Sequence, residues 1–149
     1  MGELIRLWSA GHLTKLSTVV TAGPFALCRN PIYIGSFLIS VGYFCMCDRL
    51  DVWIIGTALF WLFHGGAIAH EEKLLREKFG EDYAGYCKRV PRFLPRAASL
   101  AGNGEFSWKQ AMLNNEYRGA AAALVLSVLF GLMAYRGVTA VACLASLRR

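Results

Sequence analysis

Cysteine pairs at metal-binding or redox spacing are missing from this chain. Its five cysteines include no Cys-x-x-Cys, and an odd set without paired spacing builds neither a disulfide framework nor a zinc pattern, so no metal site is expected. A phosphate-cradling loop is missing too. Gly102-Asn103-Gly104 lacks a third glycine and a preceding strand pattern, which excludes the soluble dinucleotide-binding architectures. The opening Met1-Gly2-Glu3-Leu4-Ile5-Arg6 has no long apolar region and no small-residue cleavage site, so a secretory leader is not expected and the start reads as mature or truncated chain. Charge is scarce, at 17% of residues against roughly 25% in ordinary soluble domains. No internal repeat or low-complexity tract is present.

What fills the space is apolar. Hydrophobic residues make up 56% of 149 positions, a surplus that points to lipid. Three uncharged stretches, residues 30–47, 52–69 and 119–135, approach the roughly 20 residues a helix needs to cross a hydrocarbon core. Cys45 and Cys47 lie inside the first and read as small core residues. The expected architecture is all-α: one membrane-embedded domain over residues 1–149, with about three transmembrane helices and short cytoplasmic interfacial helices.

The net charge of +6 does not make a nucleic-acid protein, because nine basic and seven acidic residues alternate between Glu71 and Arg118 instead of forming a basic stripe. The excess fits the positive-inside rule. Arg6, Lys15 and Arg29 precede the first span, Arg49 is the one cation in the turn at residues 48–51, and a long basic segment follows the second span. The first two spans therefore read as a hairpin with both open ends cytoplasmic. A single crossing by residues 119–135, followed by an interfacial tail at 137–147, is expected at the C-terminus, since eleven residues are too few to return.

Pro31 suits the first turn of a helix and Asn30 its cap. The second span is expected to run past the membrane surface, with Glu72 and Arg76 paired at i,i+4, Gly80 ending the helix and a short helix over residues 81–88 following. Val90-Pro91-Arg92-Phe93-Leu94-Pro95 is biased towards an extended path, and residues 98–105 read as a small-residue linker.

Two polar cassettes carry the chemistry. The first is Gly23-Pro24-Phe25-Ala26-Leu27-Cys28-Arg29-Asn30-Pro31-Ile32-Tyr33-Ile34-Gly35; the second runs from Glu71-Glu72 through Phe79-Gly80-Glu81-Asp82-Tyr83 and Tyr86 to Val90-Pro91-Arg92. The hairpin brings the entry of one helix and the exit of the other to the same membrane face. Paired carboxylates at a bilayer boundary are costly without a partner, so a polar pocket is expected there. Carboxylates complement a cationic sulfonium or an amino group, or accept from ribose hydroxyls. Phe25 and Tyr33 offer faces for adenine or a cation, and Gly35 permits close backbone approach.

Order and spacing of the two cassettes resemble those of the membrane-embedded methyltransferases related to isoprenylcysteine carboxyl methyltransferase and the phospholipid methyltransferases. The resemblance covers residues 17–96 and implies S-adenosylmethionine as cofactor. It places cofactor contacts at Ser17, Thr18, Val19, Val20, Phe25, Asn30, Pro31, Ile32, Tyr33 and Glu71, with the Val90-Pro91 arm closing over them. Asn115-Glu116-Tyr117-Arg118 also looks like bacterial relatives. In the catalytic roles, Arg29 is expected to orient an anionic acceptor and Glu72 to take a proton from an amine. The substrate implied is a lipophilic small molecule or lipidated acceptor, a prenylcysteine-like carboxylate or a phospholipid or other lipid-like group. It is reached laterally from the membrane by a multi-pass protein whose active site faces the cytoplasm.

The chain departs from the family pattern in three places. Asn30 stands where many members have His and cannot titrate; Ala67 stands where prenylcysteine enzymes carry an Arg; and the region before Gly23 is shorter than in relatives. The alternative reading is a non-catalytic membrane protein retaining the fold, or a fragment lacking N-terminal helices.

Overall fold

The computed structural model describes residues 1–14, 17–47, 49–96 and 104–135, and these form helices and turns with no strand among them. In chain order the helices are α1 (Gly2–His12), α2 (Pro24–Leu27), α3 (Pro31–Cys47), α4 (Leu50–Arg89), α5 (Trp108–Leu113) and α6 (Glu116–Tyr135). The all-α expectation holds.

Helices α3 and α4 form the hairpin. α3 starts at Pro31, where a missing N–H leaves no hydrogen bond unmade. Aromatic rings zip the pair: Phe37 lies 5.1 Å from Phe60 and 5.6 Å from Trp61, and Phe44 lies 5.7 Å from Trp53, between ring centroids. The outer surface of α4 is apolar and open, with Ile54, Ile55, Leu59, Leu62 and Phe63 all exposed. Only 11% of its most apolar window is buried, so it is not the core helix of a soluble domain. Among the described residues α4 alone is long and apolar enough to cross a membrane, while α3 is apolar but stops at 17 residues. One of the three expected spans is thus clear among the described residues, and the count of three is not confirmed.

α4 outruns its apolar half. Gly80 breaks it with φ 48 and ψ −117, and helix resumes at once up to Arg89. The expected break at Gly80 with a short helix after it is present, as a kink between two helical pieces. Beyond it Tyr83, Tyr86 and Val90 form a small core with Val19, Leu75 and Phe79. The Tyr86 hydroxyl donates to the Phe25 carbonyl at 2.7 Å in buried surroundings. Two backbone bonds, Arg29 N to the Pro91 carbonyl at 2.9 Å and Arg96 N to the Leu27 carbonyl at 3.1 Å, lay the extended arm along the first cassette.

The sequence pattern gives α1 no role, yet it packs extensively on α3. Gly35 explains the closeness, because a Cβ there would lie 2.7 Å from the Gly2 carbonyl oxygen and 2.7 Å from Arg6 Cγ. α6 is held on the same helix by Tyr43, whose hydroxyl donates to the Ala123 carbonyl at 2.9 Å and whose ring stacks 5.4 Å from Phe130. The expected tail at 137–147 and most of the expected linker, 98–103, lie outside the described residues.

Candidate active site

A cavity of about 420 Å³ opens where the two cassettes meet. Its wall holds Thr18, Val19, Val20, Phe25, Arg29, Asn30, Pro31, Ile32, Tyr33, Glu71 and Glu72, which is every residue singled out from the sequence except Ser17 and Gly35. Ser17 lines a more open neighbouring cleft with Thr18, Val19 and Asp82. Gly35 does not line the cavity; it is the α1–α3 contact glycine.

The two glutamates are held very differently. Glu72 Oε1 accepts from Asn30 Nδ2 at 3.1 Å and from Arg92 Nε at 3.1 Å, and lies 3.8 Å from Arg29 Nη1; Arg92 Nη2 reaches Oε2 at 3.0 Å. Such a forked guanidinium pair is strong and directional. Both oxygens are committed, so Glu72 acts as a latch joining α4, the start of α3 and the arm, and a general-base role would require breaking it. It pairs with Arg92 rather than with the expected Arg76. Glu71 is exposed and, among the described residues, takes a single bond, from the Tyr33 hydroxyl at 3.2 Å, leaving acceptor capacity open.

Asn30 stands at the start of α3, where its carbonyl accepts from Ile34 N at 3.2 Å, and its side-chain amide serves the latch, donating to Glu72 and to the Arg92 carbonyl at 3.3 Å. Arg29 spends Nη1 on Cys87 Sγ at 2.7 Å and on Glu72, while its buried Nε meets no partner among the described residues. Burial opposes the Arg29 charge, but the neighbouring Glu72 carboxylate and Cys87 outweigh it and fix the guanidinium in its charged form. Desolvation holds the Cys28 thiol up at about 11, so it is a buried, unreactive neighbour.

Sequence reasoning missed the far wall of the cavity, where Asn114 and Glu116 stand with Leu13 and Thr14. Asn114 Nδ2 donates to the Ala10 and Leu13 carbonyls, both at 2.8 Å, which docks α5 on the end of α1. Glu116 is 9% exposed. It was legible as an acidic residue opening an apolar run, the same signal that marked Glu71 and Glu72 from the other end. Among the described residues no three His, Cys, Asp or Glu side chains gather as a metal site.

Comparisons with known proteins agree with this geometry. The cobalt-zinc-cadmium resistance protein CzcN of Cupriavidus metallidurans is 35% identical over 105 residues, covering 69% of this chain and 47% of that protein. The nickel-cobalt-cadmium resistance protein NccN of Alcaligenes xylosoxydans xylosoxydans is 34% identical over 64% of this chain and 46% of its own length. The protein-S-isoprenylcysteine O-methyltransferase of Mus musculus is 38% identical over 52% of this chain and 28% of the enzyme. The chain spans about half the length of the first two relatives. No solved structure matches. The phospholipid methyltransferase family profile matches residues 5–82, more than half the chain, with all of the first cassette and the second as far as Asp82, and the chain belongs to that family.

Proposed function

We propose that this chain carries S-adenosylmethionine-dependent methyl transfer to a lipophilic acceptor, in a multi-pass membrane protein whose cavity faces the cytoplasm. The observation that carries the reading is one cavity holding both cassettes at the polar end of a lipid-facing hairpin.

The residues present fit such a cofactor. The cavity volume of about 420 Å³ lies in the range of roughly 300–1,000 Å³ usual for small-molecule sites. Glu71 supplies a carboxylate that no cation neutralises among the described residues, matching a cationic ligand, and Tyr33 fixes its orientation. Val19, Val20, Phe25 and Leu75 give an apolar wall for a flat ring. When bound, S-adenosylmethionine supplies an electrophilic methyl group. The protein's task is positioning, since an in-line displacement needs reacting atoms about 3–3.5 Å apart and little covalent help. Glu72, Arg92 and Asn30 keep the arm closed on the first cassette.

The test titrates S-adenosylhomocysteine into purified protein in detergent. Binding by the parent is expected. Glu71→Gln keeps the size and the Tyr33 bond but removes the charge, so affinity for S-adenosylmethionine should fall by about 5- to 150-fold, the worth of a hydrogen bond to a charged group. Parent protein that shows neither heat nor thermal shift would instead support a non-catalytic relative.

A further inference from the structure

His64 is the one titratable side chain in the apolar run of residues 52–69, and neither the latch nor the cavity wall includes it. An ionisable residue inside such a span marks a functional position by default. Its ring is fixed on two sides. Nδ1 lies 2.9 Å from the Phe60 carbonyl oxygen, which can only accept, so Nδ1 carries the proton. One face of the imidazole stacks on the Phe60 ring, 4.1 Å between centroids and 15° between planes. Phe60 is itself buried and lies against Phe37 of α3, so the imidazole stands on a firm base.

Against this fixed ring lies Tyr33. The two meet edge to face, 5.9 Å between centroids at 77°, an arrangement that aromatic quadrupoles favour. Among the described residues His64 is the one aromatic partner of the Tyr33 ring. No neighbouring element closes in beside it, since a Cβ built at Gly65 or Gly66 would meet nothing within 4 Å. Without the imidazole, Tyr33 would have room to swing. Its hydroxyl is the donor that holds Glu71, two helical turns beyond His64 on the same face of α4.

We propose that His64 is a positioning residue for the carboxylate of Glu71: it sets the Tyr33 ring and, through the Tyr33 hydroxyl, the rotamer in which Glu71 meets a cationic ligand. Naming that ligand as the cofactor rests on the methyltransferase reading above; the chain from His64 through Tyr33 to Glu71 does not. The shape of the ring carries the effect, because Nδ1 is spent within its own helix and one face on Phe60. A side chain already held in its binding geometry saves the cost of ordering it when the ligand arrives.

The experiment has a ligand-free arm and a ligand arm, both on the full chain in detergent. Tyrosines are replaced by fluorotyrosine, and the fluorine NMR resonance of Tyr33 is assigned by its loss in Tyr33→Phe. In the parent, Glu71→Gln should move that resonance, because a charged acceptor becomes a neutral one. In the His64→Ala background Glu71→Gln should barely move it, and in His64→Phe, which keeps a flat ring, the response should return. His64→Leu, which fills the space without a flat edge, should behave as His64→Ala and replaces it if the smaller side chain prevents folding. In the ligand arm, His64→Ala should weaken S-adenosylhomocysteine binding by about 2- to 10-fold, the worth of one edge-to-face pair. It should cost no further affinity once Tyr33→Phe is present, because residues that act through one another are not additive.

A Tyr33 resonance that ignores Glu71→Gln in the parent, or answers it equally without the His64 ring, overturns the proposal. So does a His64→Phe chain that behaves as His64→Leu, or a loss of affinity that adds in full to that of Tyr33→Phe. A parent that shows the His64-dependent response yet binds no S-adenosylhomocysteine would support the positioning chain and defeat the methyltransferase reading alone.

Discussion

Two neighbouring glutamates divide the work because successive helical residues point about 100° apart. Glu72 turns towards the arm and is held by Arg92, Arg29 and Asn30, whereas Glu71 meets only Tyr33. Replacing each with Gln should therefore give opposite signatures. Glu72→Gln should lower unfolding stability by roughly 1–2 kcal/mol, near the low end for charged hydrogen bonds because Arg92 is 42% exposed; Glu71→Gln should leave it within about 0.5 kcal/mol. Equal losses in thermal unfolding would show that the latch is not where the stability lies. A second residue-scale expectation concerns alkali. Burial raises Cys28 from 9.0 to about 11 and Tyr83 from 10.0 to about 12, and raises Tyr86 as well. All three stay protonated in the folded protein at a pH where the unfolded chain releases its protons. The stability they contribute is thus complete below about pH 9 and falls as pH rises through 9 to 12. Thermal midpoints measured from pH 8 to 11 should drop, and Cys28→Ala should flatten the first part of that drop. A flat profile in the parent would contradict it.

At the scale of elements, what was readable depended on whether a signal was local. The α3 start at Pro31, the extended Val90-Pro91 arm and the helix break at Gly80 all follow from backbone preferences of single residues, and all are present. The short helix after Gly80 also follows from local punctuation; what no local pattern announces is the contact that fixes it, Tyr83 and Tyr86 packing against Val19 and Leu75 from distant parts of the chain. Helix α1 escaped for the same reason. Its residues look like a short polar lead, and it is held by a glycine contact with α3 and by Arg6 reaching Glu116, 110 residues away. Most of the cavity was legible because both cassettes sit on elements whose ends the sequence marks; Glu116 was marked as an acidic residue opening an apolar run, but its place in the cavity, like that of Asn114, depends on contacts with α1 that no local pattern announces. Gly80 gives the sharpest test at this scale. Its φ of 48 with ψ −117 is a conformation that costs an L-residue about 1–3 kcal/mol, so Gly80→Ala should destabilise by that amount and loosen the Tyr83–Tyr86 core. Gly85, five residues on in regular helix, has nothing within 4 Å of where a Cβ would stand, and Gly85→Ala should be neutral or stabilising by about 0.5–1 kcal/mol. Denaturation of both variants decides it, and similar losses at the two sites would remove the kink as a special conformation.

The whole molecule is organised by where its charges stand relative to α4. From Asp51 to Glu71 is twenty helical steps, about 30 Å at about 1.5 Å each, which matches a bilayer's hydrocarbon thickness. The paired glutamates then stand at one boundary and the α3–α4 turn at the other. Arg49, the turn's one cation outside the apolar runs, forms a two-pronged exposed pair with Asp51, Nε to Oδ1 at 2.9 Å and Nη2 to Oδ2 at 2.5 Å. That turn accordingly carries little net positive charge. The other boundary holds Arg29, Lys73, Arg76, Lys78, Lys88, Arg89 and Arg92. Positive segments stay on the cytoplasmic side, so the cavity should open to the cytoplasm and the turn to the opposite side. In a cysteine-free background, single cysteines at Asp51 and Lys88 should label from opposite faces of sealed vesicles with a membrane-impermeant maleimide. Labelling of both from one face would show that α4 lies along the membrane instead of crossing it, and a water-soluble cofactor and a lipid acceptor would then have to reach the cavity from the same side.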